Sequence, residues 1–280
     1  MRESSLGLLF GAVLLGVAAS TASAQEIAWA GSLDVTNGDY YFSERTTALW
    51  LTNGVVARSG AFWFDASLPV LLQNSDAVTR VGGLSVPTGG SRRGGGVGDG
   101  MGSDRQRLLE IEDPGSLELD VADPLMGFGV DLPLGGGALR SVRVGVSAKA
   151  PMRSVDSGIG TGQWDFGVGA GTSVSAGSLV ILLDGTWWMP GDMPDLELND
   201  VLEYGGMVGG WFGDGSLGWS LVVSGSTSMI DDVAGPVSTG GDLLFWSDTG
   251  SSLRAGLRFG LTESAADVAV TLGWAVPLTG

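Results

Sequence analysis

The chain has 280 residues, 49 of them glycine, with only 16% charged residues and a formal net charge of -17. Cysteine and histidine are both absent, which excludes disulfides, thiolate nucleophiles, Cys/His zinc sites and every mechanism that needs a histidine base. The acidic excess disfavours nucleic acid as a partner, no cofactor or metal motif is present, and carboxylate-only catalysis has no positive support.

Residues 1–24 read as a signal peptide. Arg2 supplies a charged start, LGLLFGAVLLGV from Leu6 to Val17 is the apolar core, and Ala22-Ser23-Ala24 fits the small-residue cleavage position, so Gln25 is the expected mature start. The apolar core is shorter than the roughly 20 residues that a spanning helix needs. Export across the inner membrane of a diderm bacterium is the expected consequence.

Residues 25–280 read as one β domain. Ile27, Trp29, Leu33 and Val35 share a face before the Asn37-Gly38-Asp39 turn, and a second strand covers Thr46 to Arg58. The Ser59-Gly60 turn leads into Ala61 to Gln73, where Phe62, Phe64, Leu68, Val70 and Leu72 face one way and Trp63, Asp65, Ser67 and Gln73 the other. Asn74 to Leu119 breaks the pattern as a long glycine-rich loop, with Arg92 and Arg93 as a small basic spot. Capping-box spacing at Ser103 and Gln106 predicts a short helix through Glu112.

Strands resume at Val121 to Leu132, Ala138 to Lys149, Gln163 to Val174, Ser178 to Met189, Asp200 to Phe212, Leu217 to Met229, Val237 to Ser247, Ser252 to Leu261 and Asp267 to Val276. The total is about twelve, an even number as bacterial barrels have. Register is ambiguous at Asn53 and Leu244, which interrupt the alternation.

Connection lengths and aromatic placement point to a membrane-spanning, antiparallel up-and-down β-barrel. Short turns at Ser59-Gly60, Gly135 to Gly137, Ala176-Gly177, Gly213 to Ser216 and Asp248 to Gly250 fall at one end, and the longer connections fall at the other. That asymmetry separates periplasmic turns from external loops. Trp211, Phe212, Trp219, Phe245, Trp246, Phe62 and Trp274 are expected in one interfacial girdle, and Tyr40, Tyr41, Phe42, Trp164, Trp187 and Trp188 in the other.

The alternation is cleanest in SVRVGVSAK, where Val142, Val144, Val146 and Ala148 oppose Ser141, Arg143, Gly145, Ser147 and Lys149. If the apolar face meets lipid, the other lines a lumen. Parity then assigns Asp65, Asp123, Asp131, Arg143, Lys149, Asp165, Asp184, Glu203, Arg254 and Arg258 as lumen-lining candidates. Two roles are open to them: a selectivity ladder along a solute path, or salt bridges that brace a narrow barrel. The glycines of GIGTGQWDFGVGAG, Gly158 to Gly171, continue a strand and open no helix, so they do not form a phosphate-binding loop. Crowding and curvature inside a closed sheet account for them better.

Three stretches, SLPVLLQ at Ser67 to Gln73, ADPLMGFGVDLPL at Ala122 to Leu134 and SAKAPMRSVDSGIGTGQWDFGVGAG at Ser147 to Gly171, together resemble the outer-membrane barrel family of the MetA pathway of phenol degradation. Its usual Pro-Thr-Gly is Pro151-Met152-Arg153 here, and the chain ends in Pro277-Leu278-Thr279-Gly280 instead of a terminal aromatic. The resemblance implies an outer-membrane channel or passive transporter for small solutes, aromatic or hydrophobic compounds among them. Its implied partners are membrane lipid, the solute and the barrel-assembly machinery. A non-transporting structural or adhesin-like barrel, and a secreted soluble β protein, share the same alternation.

Overall fold

The computed structural model describes residues 26–40, 45–74, 78–81, 84–87, 118–135, 137–152, 162–192, 197–213 and 215–278. The expected signal peptide, the helix at Ser103 to Glu112, the Arg92-Arg93 spot, Tyr41 and Phe42 lie outside them.

The strands in chain order are β1 (Glu26–Gly38), β2 (Thr46–Ser59), β3 (Phe62–Gln73), β4 (Val78–Val81), β5 (Leu84–Pro87), β6 (Glu118–Val121), β7 (Leu125–Pro133), β8 (Leu139–Lys149), β9 (Asp165–Ala176), β10 (Leu179–Met189), β11 (Val201–Phe212), β12 (Leu217–Ser226), β13 (Val237–Trp246), β14 (Ser252–Gly260) and β15 (Val268–Pro277). Each pairs antiparallel with its neighbours, and β1 pairs with both β2 and β15, so the sheet closes on itself. Leu33 sits opposite Leu51 on one side and Leu272 on the other. With β6 and β7 forming a single stave, the result is a closed barrel of twelve staves without an exposed sheet edge.

Two departures from the expected strand list have local causes. The alternation across Val121 to Leu132 reads as one strand, but Pro69 and Pro124 each lack a ladder donor. The partner of β3 therefore changes from β7, at Ser67 opposite Leu125, to β6, at Val70 opposite Val121, and residues 122–124 bulge out. The segment expected to be loop also contains the β4–β5 hairpin, in which Val78 pairs with Pro87 and Val81 with Leu84. Its signal is the VTRV and LSVP pair around Gly82-Gly83.

The side-chain distribution is the reverse of that in a water-soluble protein. Phe62, Phe64, Phe128, Val146, Phe166, Val168, Leu183, Leu221, Leu243, Leu257, Phe259 and Leu272 are all exposed on the outside, while Ser32, Thr52, Asp65, Lys149, Asp165, Glu203 and Asp242 are buried inside. Strands of 9–14 residues carry this outward apolar band, enough to cross a bilayer when tilted. Asn53 falls on the outward face opposite Gly31 and Leu68, and Leu244 on the inward face opposite Gly218 and Arg254.

The aromatic girdles need correction for the same period-two reason. Trp211-Phe212, Phe245-Trp246 and Trp187-Trp188 are adjacent pairs, so one member of each must point inward. Phe62, Phe212, Trp219, Phe245 and Trp274 remain outside at the short-turn end, joined by Trp29, which meets Trp274 at 5.7 Å between ring centroids. Trp211 and Trp246 instead meet edge to face inside the barrel, 5.0 Å apart. At the other end Trp164 and Trp187 are outside, while Trp188 and Tyr40 are buried.

Inward glycines leave room for indoles. A Cβ on Gly127, Gly129 or Gly145 would collide with the ring of Trp63, and one on Gly167 would press on Trp188. Glycine at those positions lets each ring lie flat against neighbouring strands. Gly145→Val is expected to cost about 1–3 kcal/mol through overpacking, seen as a lower unfolding temperature in detergent, with Ser147→Ala changing little. At the turns, Gly60 and Gly177 supply left-handed backbone, with φ of 59° and 64°.

Candidate functional site

The interior divides into ion-paired zones, unpaired carboxylates and apolar surface. At the long-loop end, Lys149 lies opposite Asp165 in the β8–β9 register, and the bulge before β7 turns Asp123 toward the same ammonium. The Nζ of Lys149 is 3.0 Å from Asp123 Oδ2 and 3.1 Å from Asp165 Oδ2, and all three side chains are at most 3% exposed. The remaining carboxylate oxygens accept from the backbone: Met152 N–H donates to Asp123 Oδ1 at 2.8 Å, and Gly191 N–H to Asp165 Oδ1 at 3.1 Å. One buried triad thus ties down the β6–β7 break and the connections after β8 and β10.

Nearer the short-turn end, Arg143 faces its register partner Asp131, with Nη2 2.6 Å from Oδ2. Its guanidinium also stacks over Trp63, 5.4 Å from the ring centroid. A third zone centres on Asp242, which lies across from Gly256 and so leans between Arg254 and Arg258. Arg258 Nη2 contacts both carboxylate oxygens at 2.9 Å, Arg254 Nε is 3.0 Å away, and Ser220 Oγ donates at 2.9 Å. Glu203, in β11, accepts a 2.9 Å bond from the Trp188 indole.

Asp65 and Asp184 point inward and make no salt bridge among the described residues: each has one buried carboxylate oxygen with no hydrogen-bond partner, although the charge of Arg143 reaches both. Sequence reasoning left out Asp34, which the structure places inside with them. The alternation that puts Leu33 and Val35 outside puts Asp34 inside, where it accepts from Ser32 at 2.7 Å and Thr271 at 2.6 Å. Asp242 was also left out, because Leu244 on the same face obscured the parity of β13.

Apolar residues cover the mouth at the long-loop end. Tyr40 from the β1–β2 connection, Val78 from β4, Trp188 and Val201 from β10 and β11, Leu198 before β11, and Met229, Ile230 and Val233 between β12 and β13 form one buried cluster, with Leu125 and Ala266 packed against it. These positions come from opposite sides of the barrel, β1–β2 and β4 on one and β10 to β13 on the other, so the cluster extends over the mouth. Burial pushes the Tyr40 phenol above its usual range, which keeps it neutral in this setting. Deeper in, Leu182, Met207 and Val222 make an apolar patch on adjacent staves. Among the described residues no group of three or more acidic, Cys or His side chains is arranged to hold a metal ion.

No protein-family model and no curated protein matches the sequence. Among solved structures, the COG4313 outer membrane channel from Pseudomonas putida F1 is similar over 92% of this chain and 97% of its own, with 11% identity and a TM-score of 0.62. The shared feature is the barrel fold. The KdgM porin in complex with disordered oligogalacturonate superposes more loosely, with 6% identity, 89% and 97% coverage and a TM-score of 0.41. OccK5 (OpdH) of Pseudomonas aeruginosa does likewise, with 9% identity, 93% and 100% coverage and a TM-score of 0.38.

Proposed function

We propose that the chain is an outer-membrane channel that passes small solutes without catalysis, its long connections facing outward from the cell and both described termini facing the periplasm. The observation that carries this reading is the closed barrel with an apolar outside and an ionic inside, a distribution stable in a bilayer and unstable in water. A secretory leader at residues 1–24 fits export, and barrel-assembly machinery would then insert the chain. The motifs resembling the MetA-pathway phenol-degradation family, together with the apolar cluster at the mouth and the patch of Leu182, Met207 and Val222, favour aromatic or hydrophobic compounds among the solutes.

The ten charged positions assigned by parity serve two purposes in this reading. Those in ion pairs brace the wall, and Asp65 and Asp184, which make no salt bridge among the described residues, face the path. The braced interior and covered mouth also suit a second reading, a barrel that does not transport. Swelling of liposomes that contain the mature chain separates the two. Small neutral sugars and small aromatic solutes are expected to enter faster than in protein-free vesicles. Swelling at the protein-free rate, from vesicles in which the chain is inserted and heat-modifiable on gels, would favour the non-transporting barrel.

A further inference from the structure

The alternation of β2 is interrupted at Asn53, and the interruption lies on the lipid side. Asn53 is the eighth of the 14 residues in β2, between the outward Leu51 and Val55 and across from Gly31 and Leu68. Leu51, Val55 and Leu68 are exposed and apolar. Its place midway along the stave sets the amide at the level of the lipid chains, which offer neither a donor nor an acceptor, so a polar group left unsatisfied there is costly. Among the described residues Asn53 makes no hydrogen bond.

Two outward threonines on other staves show how the wall itself satisfies such a group. The Thr172 hydroxyl donates to the Ser141 carbonyl at 2.9 Å, and that of Thr239 to the Val222 carbonyl at 3.0 Å. Asn53 has no such answer within the barrel. The indole of Trp274 lies over Gly31, beside Asn53, and its buried N–H also has no partner. That group is a donor only, so an Asn53 carbonyl turned toward it still leaves both amide N–H groups without an acceptor. The missing acceptor has to come from outside the chain.

We propose that the protein associates with a second copy of itself in the membrane through the β1–β2–β3 face, Asn53 of one copy hydrogen-bonded to Asn53 of the other. Barrels inserted in the same direction share one orientation, so a two-fold axis between two of them runs along the membrane normal. Such an axis makes the contact self-complementary and brings the same residue of each copy to the same depth. A primary amide is its own complement: the N–H of each donates to the carbonyl of the other, in a medium where no water competes. Leu51, Val55 and Leu68 supply the apolar surroundings of the pair. The proposal concerns the outer surface and is independent of passage through the lumen.

Sedimentation equilibrium of the mature chain in density-matched detergent, together with cross-linking in vesicles, tests it. The wild type is expected to show a monomer–dimer equilibrium, and Asn53→Leu to raise the dissociation constant about tenfold, the scale of interchain amide bonds in an apolar medium. Asn53→Gln, which keeps the amide, should stay within about threefold of the wild type. The Asn53→Leu barrel should migrate and respond to heat on gels as the wild type does, which separates lost association from lost folding. In vesicles a short bismaleimide is expected to join copies that carry Leu51→Cys and to leave single those that carry Leu183→Cys, on the outward face of β10. A wild type that is monomeric in both detergent and vesicles, a dissociation constant unchanged by Asn53→Leu, or equal cross-linking at the two cysteine positions would overturn the proposal. Current through such a monomer would leave the channel reading intact. If Asn53→Leu does not fold, the cross-linking contrast between positions 51 and 183 decides.

Discussion

Lys149→Met is expected to destabilise the barrel by about 3–5 kcal/mol, because removing one partner of a buried ion pair leaves the opposite charge without compensation. The effect is larger here than at an ordinary pair, since two buried carboxylates, Asp123 and Asp165, meet the same ammonium at 3.0 and 3.1 Å. Neither carboxylate can turn to water, and each already uses its other oxygen on a backbone N–H. The loss would therefore spread to the β6–β7 break and to the connections after β8 and β10. The measurement is the temperature at which the compact, fast-migrating form disappears on detergent gels. Adding Asp123→Asn and Asp165→Asn to Lys149→Met should recover part of the loss, since two buried charges are then removed along with their cation. A Lys149→Met barrel as heat-resistant as the wild type would show that the triad does not brace the wall.

Ile230→Asp is expected to raise channel conductance several-fold while leaving the barrel's melting nearly unchanged. Ile230 is fully buried at the centre of the apolar cover, in a tight turn to Val233. The turn is closed by the Val233 N–H to Ile230 O bond at 3.1 Å, by Ser228 Oγ bonds to both carbonyls, and by left-handed backbone at Asp232. A carboxylate at the tip of that turn finds no cation within the cluster, and an unpaired buried charge costs far more than lifting a surface connection away. Apolar constrictions also resist the passage of ions by dewetting, so a charged side chain there opens the path twice over. The staves themselves keep their pairing because the turn lies beyond the end of β12. Single-channel recording checks this, and equal conductance in the variant and the wild type would place the cluster away from the path.

The sequence reveals direction better than partnership. A two-residue period is a local property, so the inward aim of Arg143 and Lys149 follows from the valines and the alanine between and beside them. That Arg143 meets Asp131, or that Lys149 holds two carboxylates, depends on register between staves, which no single strand encodes. The same limit explains the aromatic belts: counting tryptophans near strand ends places them at the right height but ignores that adjacent residues face opposite sides. Trp188, Trp211 and Trp246 consequently lie inside.

Other features were hidden for identifiable reasons. Asp242 was obscured because Leu244 puts a large apolar group on the inward face, reversing the usual reading of β13. The break between β6 and β7 arises from Pro69, distant in sequence, as much as from Pro124. The β4–β5 hairpin was masked by the glycine-rich composition around it, although its alternation and Gly82-Gly83 were present. The mouth cluster gathers residues from connections whose lengths the sequence shows but whose meeting point it does not.

The central claim is that one face of every stave meets lipid and the other meets water, and the absence of cysteine allows a direct test. Single substitutions Val144→Cys, Val146→Cys, Arg143→Cys and Ser147→Cys, made in the mature chain and inserted into vesicles, sample both faces of β8. The alternation predicts that a small, charged thiol reagent modifies the cysteines at 143 and 147 and spares those at 144 and 146. A fluorophore at 144 or 146 should in turn be quenched by lipid-borne quenchers. Equal reaction of all four positions with the charged reagent, or lipid quenching at 143 and 147, would contradict the account.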